Sequence, residues 1–273
     1  MGLSSNILWH QTKKDVLMKI LKQKRFLYSY SLEYINYDDT FFELAVPVLS
    51  LCDIPFADIS DYLTKYGGNS IGLSREWGIK HGITPVIYCE KTSPLLIKIG
   101  QDYSENNKLS NFYWEILSHI KNHEGSLPKY NYKNYRFYDE HEVRIIPTVK
   151  NLTDIKEKLY LSKDEYKKYK SRNKNSSIVS DILSVPFDYN DIKYFILKDE
   201  DSINEIKKIL TKEIDLSQNR ISFFTISQVK ADFIGNNHNE VSYIEKIDVN
   251  NHRDNSNTIF QKIDVNKKKI VHY

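Results

Sequence analysis

Three short segments hold the residue types that do chemistry. The first is Trp9-His10-Gln11-Thr12, which sets an imidazole where an apolar run ends. An imidazole serves as proton donor, proton acceptor or plain hydrogen-bonding group, and His10 taken alone fits the structural role. The second is Tyr66-Gly67-Gly68-Asn69-Ser70-Ile71-Gly72. Gly67 is explained as a left-handed helix cap, whereas Gly68 and Gly72 would let the backbone approach a ligand closely. The third is Tyr138-Asp139-Glu140-His141-Glu142-Val143-Arg144. On a strand, Glu140, Glu142 and Arg144 share one face. Two carboxylates side by side oppose each other's ionisation and need a reason to be there. A surface ion pair with Arg144 and a working carboxylate site both supply one.

Other signatures are absent or diluted. There is no P-loop, no nucleophile elbow and no Cys-x-x-Cys. His119 and His123 have a spacing that suits metal ligands on a helix. No third ligand accompanies them, so a solvated helix face is expected and no metal is called for. Lys163, Lys167, Lys168, Lys170, Arg172 and Lys174, with Tyr166 and Tyr169 between, would suit a phosphate backbone and stacked bases. Asp164 and Glu165 dilute that run, and a solvated helix end accounts for it more simply.

These residues need elements to position them. The pattern predicts a strand over 7–10, then a helix over 12–23 with Thr12 as N-cap and Val16, Leu17, Ile20 and Leu21 on one face. Residues 41–52 are β-rich, with Pro47 demoting part of the run to an edge or bulge. Pro55 opens a helix that ends near Tyr66. Strands follow at 70–73 and 85–89, with Ser74 capping a small helix between them. A helix is expected over 105–123 and a strand over 142–147. Later elements are one charged helix over 153–172, strands at 193–198 and 220–226, and an amphipathic helix over 200–212. The tail is polar and contains Lys-Ile-Asp-Val-Asn at 246–250 and 262–266, as a flexible segment or a pair of edge strands.

Bulk properties bound the rest. With 273 residues, 40% hydrophobic and 27% charged, the chain has material for a full core. Two cysteines, Cys52 and Cys89, suggest a reducing compartment. The start lacks signal-peptide character and no apolar run is long enough to span a membrane, so a cytoplasmic, membrane-free protein is expected. A net charge of +3 does not announce a nucleic-acid partner.

Longer segments carry a resemblance. Pro47-Val48-Leu49-Ser50-Leu51-Cys52-Asp53-Ile54-Pro55 and the run from Lys65 to Gly78 resemble the AbiGi family of abortive phage-resistance proteins. Trp9-His10-Gln11-Thr12 and Gln228-Val229-Lys230-Ala231-Asp232-Phe233-Ile234-Gly235 fit the same family. The family is labelled an antitoxin, which implies a toxin or antitoxin partner encoded nearby.

A more distant resemblance is to the ADP-ribosyltransferase fold, through His-x-Thr, the Tyr-Gly block and Glu-x-Glu. It implies an α+β fold with a split β-sheet over residues 1–150; the change of pattern beyond residue 150 adds a smaller α/β extension over 151–235 and a polar, flexible tail over 236–273. It also implies NAD as substrate. His10, with Thr12, would then hold a ribose, and Tyr66 or Tyr62 would stack on nicotinamide. Ser50 would line that site. Glu142, assisted by Glu140, would hold the reacting ribose, and Arg144 would pair with pyrophosphate or steady Glu140. The acceptor would be a nucleic acid, through Lys167, Lys168, Lys170 and Arg172, or a host protein. The competing expectation is a non-catalytic antitoxin that neutralises a partner.

Overall fold

The structure is a computed structural model that describes residues 5–59, 63, 68–106, 110–127, 132–174, 176–217, 219–232, 261–264 and 269–272. It is an α+β fold. The chain opens with β1 (Ile7–Thr12), α1 (Lys14–Gln23), β2 (Arg25–Leu27), β3 (Ser29–Tyr37) and the long β4 (Thr40–Cys52). There follow β5 (Asn69–Ser74), α2 (Arg75–Lys80), β6 (Thr84–Pro85), β7 (Ile87–Cys89), α3 (Pro94–Asn106) and α4 (Asn111–Leu117). The middle contains β8 (Ile120–Asn122), β9 (Glu124–Leu127), β10 (Tyr132–Arg136), β11 (Glu142–Ile145), α5 (Val149–Asp154), β12 (Leu161–Ser162) and α6 (Lys163–Arg172). The remainder is β13 (Ser184–Pro186), β14 (Ile192–Leu197), α7 (Glu200–Leu210), β15 (Ser222–Thr225), α8 (Ile226–Asp232), β16 (Gln261–Asp264) and β17 (Lys269–His272).

The main sheet runs β15-β14-β5-β1-β4-β11-β6, with β3 and β12 also paired to β4. Strand β4 joins its two parts. Its first half pairs with β3 from Tyr37↔Thr40 to Ser29↔Val48, and its last residues pair with β11 from Ile145↔Leu49 to Glu142↔Cys52. Between β1 and β4 the register holds at Trp9↔Cys52, while the whole of β1 pairs with β5.

Alternation along these strands sorts side chains onto two faces. Leu8, Leu49, Leu51, Ile71, Leu73, Val143, Ile145, Phe195 and Leu197 join one core, together with Leu17 and Leu21 of α1 and Ile203, Ile206 and Leu210 of α7. Full burial of each such side chain contributes about 1.5–3 kcal/mol. The intervening residues, among them Trp9, Gln11, Ser50, Cys52, Ser70, Gly72, Glu142 and Arg144, occupy the other face. Beside them a second core of Ile35, Phe42, Leu44, Val46, Leu96, Ile99, Leu117 and Ile120 packs α3 and α4 onto β3 and β4.

Several expected elements change. Thr12 ends β1 opposite Asn69 and does not cap α1; the N-cap is Lys13, without a side-chain cap. Val16 is 38% exposed, leaving Leu17, Ile20 and Leu21 as the buried stripe. Pro47 lies inside β4 opposite Tyr30. It is tolerated because β12 reaches only Ala45 and Leu44, so among the described residues one flank of β4 has no strand at Pro47. The expected helix over 105–123 is α3, α4 and then β8, because Ile120 and Asn122 pair in parallel with Ile87 and Cys89. His119 and His123 therefore share no helix face. Residues 85–89 split between β6 and β7, which belong to different sheets. The expected charged helix over 153–172 is broken by β12, after which a Ser162–Glu165 capping box starts α6. Ser74 caps α2 as expected, accepting from the Trp77 amide.

The chain forms two compact units, Met1–Ile226 and Ser227–Tyr273. Residue 150 falls inside the first, because β14 and β15 extend the main sheet instead of forming a layer of their own. In the second unit β16 and β17 form an antiparallel pair. The Lys-Ile-Asp-Val-Asn copy at 246–250 lies outside the described residues.

Candidate functional site

A cavity of about 200 Å³ opens on the polar face, lined by Trp9, Gln11, Ser31, Glu33, Ser50, Leu51, Cys52, Lys121, Glu140 and Glu142. Strand β11 supplies Glu142 to it, with Arg144 two residues on and pointing the same way. Arg144 is fully buried. Its Nε donates to Glu142 Oε1 at 2.8 Å and its Nη2 to Glu142 Oε2 at 3.2 Å. The same Nη2 donates to Glu33 Oε1 at 2.8 Å, and Nη1 donates to the Ser118 carbonyl at 2.7 Å.

Lys121, from β8, bridges Glu142 to a third carboxylate, Glu140. Its Nζ lies 2.7 Å from Glu142 Oε2 and 3.0 Å from Glu140 Oε2. Tyr135 donates its hydroxyl to Glu140 Oε1 at 3.0 Å. Glu140 is not on the strand with Glu142, as expected from alternation, but in a short 3-10 turn, Phe137–Glu140. His141 at φ 42° then turns the chain into β11, so both carboxylates still reach Lys121.

Burial opposes every one of these charges, and the pairs outweigh it. For Glu142, desolvation alone would raise the pKa, yet Arg144 and then Lys121 hold it well below the carboxylate range. For Lys121, burial would lower the pKa, yet Glu142, Glu33 and Glu140 hold it above the usual value. The Cys52 thiol is pushed up by burial and by the field of Glu142. The Glu142 carboxylate is thus ionised at any ordinary pH.

The other expected site residues are placed apart. His10 does not line the cavity. Its ring packs edge-on against Phe26 at 5.1 Å, and its Nδ1–H donates to the Ser50 carbonyl at 3.1 Å. Burial lowers its pKa against that hydrogen bond. Thr12 sits at the end of β1, on the His10 side by alternation. Ser50 lines the cavity, while Tyr62 and Tyr66 lie outside the described residues. Gly72 has a steric reason: a Cβ there would lie 2.8 Å from both Trp9 Cζ3 and Ile7 Cγ2.

On α6, Lys167, Lys168 and Arg172 are exposed. The tyrosines between them face the body: Tyr166 and Tyr169 pack on the main core, and Tyr169 donates to the Ile178 carbonyl at 2.7 Å. Among the described residues no three His, Cys, Asp or Glu side chains are grouped to hold a metal ion, and no helix is long and apolar enough to cross a membrane. Glu33, Lys121 and Gln11 were not anticipated as site residues.

A family model described as "Putative abortive phage resistance protein AbiGi, antitoxin" matches residues 18–198. The chain belongs to the AbiGi family. The AbiGi match takes in Glu33, Ser50, Lys121, Glu140, Glu142 and Arg144 and leaves out His10 and Thr12. A relative named "Abortive phage resistance protein AbiGi", from Lactococcus lactis subsp. cremoris, is 34% identical over 130 residues, covering 38% of this chain and 52% of its own. The chain thus spans about half the length of that AbiGi relative. Among solved structures, Thermus sp. 2.9 DarT in complex with carba-NAD+ aligns at 11% identity and TM-score 0.33, over 82% of this chain and 97% of DarT. The same DarT in complex with NAD+ aligns at 13% identity and TM-score 0.33, over 80% and 94%. At that TM-score the likeness carries no argument about the AbiGi site.

Proposed function

We propose that this AbiGi protein acts in phage defence, in the cytoplasm, as an NAD-dependent ADP-ribosyltransferase whose acceptor is a nucleic acid or a host protein. The observation that supports it is a carboxylate, Glu142, held ionised by Arg144 and Lys121 at the wall of a cavity of about 200 Å³. In the transfer, the bond between ribose C1 and the nicotinamide nitrogen breaks and nicotinamide leaves with the electron pair. An acceptor oxygen or nitrogen bonds to C1 and releases its proton to solvent. Positive charge develops on the sugar, and a fixed carboxylate beside it stabilises that charge without reorganising. Lys121 and Arg144 keep Glu142 from taking up a proton, and the Trp9 indole supplies an apolar wall.

The test is incubation of wild type and Glu142→Gln with labelled NAD and separate pools of RNA, DNA and cell lysate. Label transferred by wild type alone identifies the activity and the acceptor class. Equal transfer by both proteins removes Glu142 from the role.

A second reading is a non-catalytic antitoxin bound to a partner encoded nearby. It is favoured by the hydrogen bonds that Arg144 and Lys121 already make to Glu142, and by the position of His10 away from the cavity. Co-purification of a neighbouring gene product, with no NAD turnover, would support it.

A further inference from the structure

The cavity's three carboxylates are not equivalent. Both oxygens of Glu142 accept from the protein, Oε1 from Arg144 and Oε2 from Arg144 and Lys121. Both oxygens of Glu140 are engaged, by Tyr135 and Lys121. Glu33 differs. Its Oε1 takes both the Arg144 Nη2 and the Ser31 hydroxyl, at 2.8 and 3.1 Å. Its Oε2 has no partner among the described residues. The residue is 8% exposed and lines the cavity.

A second observation comes from β1. Both polar atoms of the Gln11 amide are buried without a hydrogen-bond partner among the described residues, and Gln11 lines the same cavity. The hydroxyl of Ser70, fully buried and directly across the sheet from Gln11, is likewise unpartnered. Leaving such groups unmet is costly, so each needs an explanation. A ligand that supplies the missing partners is one.

We infer that Glu33, with the Gln11 amide, holds the ligand by accepting hydroxyls of a ribose-like sugar, while Glu142, its oxygens already engaged by the protein, acts through its charge, on the sugar and on Arg144. The chemistry selects the class. A carboxylate oxygen only accepts, and an amide both donates and accepts, which suits neighbouring hydroxyls. Three carboxylates, Glu33, Glu140 and Glu142, face two cations, Lys121 and Arg144, leaving one net negative charge. That balance disfavours a phosphate in the cavity and favours a neutral polyol or a sugar developing positive charge.

This inference rests on the reading of the cavity as the place where the reacting end of NAD binds. The experiment is calorimetric titration of NAD and ADP-ribose into wild type, Glu33→Gln, Gln11→Met and Glu142→Gln, with thermal melts of each and the labelled-NAD assay alongside. Glu33→Gln should raise Kd for both ligands by about ten- to a hundredfold, the loss of a hydrogen bond to a charged group. Glu142→Gln should raise it less. Gln11→Met should weaken binding while the ligand-free protein melts no lower than wild type, since a buried unmet amide is removed; it also serves where Glu33→Gln does not fold. Wild-type affinity in both Glu33→Gln and Gln11→Met overturns the inference even if transfer proceeds. Glu33-dependent binding without transfer keeps the inference and removes the transferase reading. No binding by wild type overturns both.

Discussion

Glu33 and Glu142 grip one guanidinium from two strands: Arg144 Nη2 lies 2.8 Å from Glu33 Oε1 and 3.2 Å from Glu142 Oε2. The contact ties β3 to β11 across the polar face, and it makes Arg144 the centre of the charge cluster. Arg144→Met leaves buried carboxylates without their cation. The expected cost is about 3–5 kcal/mol, the range for breaking a buried pair on one side, read as a fall in the urea midpoint at unchanged slope. Arg144→Lys keeps the charge and loses the two-pronged grip, so it should fall between wild type and Met.

Acid should weaken the fold through Glu142. Its folded pKa lies below the ordinary value of 4.5, so the folded state binds fewer protons there than the unfolded chain. The stabilisation is complete above that ordinary value and is lost as pH falls from it towards the folded pKa. Urea unfolding between pH 6 and pH 3, a window spanning about the ordinary carboxylate range, should therefore show a steep acid limb. Glu142→Gln should flatten it. An unchanged limb would assign the acid sensitivity to other carboxylates.

Much of this arrangement was legible in the sequence, and the rest was hidden for physical reasons. The alternation Glu142-Val143-Arg144-Ile145 marks a strand with its charges on one face, and β11 is that strand. Lys121 was hidden because Phe112, Ile116 and Ile120 fall at helical spacing; only the pairing of Ile120 with Ile87 turns that stretch into β8. Glu33 was hidden because its partner, Arg144, is 111 residues away, and local periodicity carries no information over that distance. His10 and Glu142 belong to strands that both touch Cys52's strand, β4. A count of strands does not reveal that His10 turns to the opposite face.

His10 offers a direct check on that last point. If its contacts are Phe26 and the Ser50 carbonyl alone, His10→Ala removes a part-buried hydrogen bond and leaves the cavity lining unchanged. The expected result is a stability loss of about 1–3 kcal/mol with wild-type affinity for ADP-ribose. A Kd raised in proportion would place His10 among the ligand-binding groups.

Gly72 controls the aromatic wall. Trp9 is fixed by its Nε1–H bond to the Ile54 carbonyl at 3.0 Å and by rings of Phe56 and Tyr194 at 5.9 and 5.7 Å. A methyl at residue 72 would meet the indole and Ile7 together, and the indole is fully buried. Gly72→Ala should cost about 1–3 kcal/mol by overpacking. A shift in tryptophan emission should accompany the loss, because the displaced ring belongs to the cavity wall.

The basic helix separates charge from stacking. Lys167, Lys168 and Arg172 are exposed on α6, which buries no residue of its own, whereas Tyr169 bonds back to the Ile178 and Val179 carbonyls. A nucleic acid meeting this helix would find phosphate partners and no free aromatic face, so binding should be sequence-independent and governed by counterion release. The triple variant Lys167→Ala, Lys168→Ala, Arg172→Ala should melt within about 0.5 kcal/mol of wild type, as surface changes do. If the helix carries the acceptor, affinity for single-stranded nucleic acid should fall and its salt slope should shrink by up to about two units, roughly 0.7 per lost phosphate contact. An unchanged slope would leave α6 a solvated face and shift the acceptor towards protein.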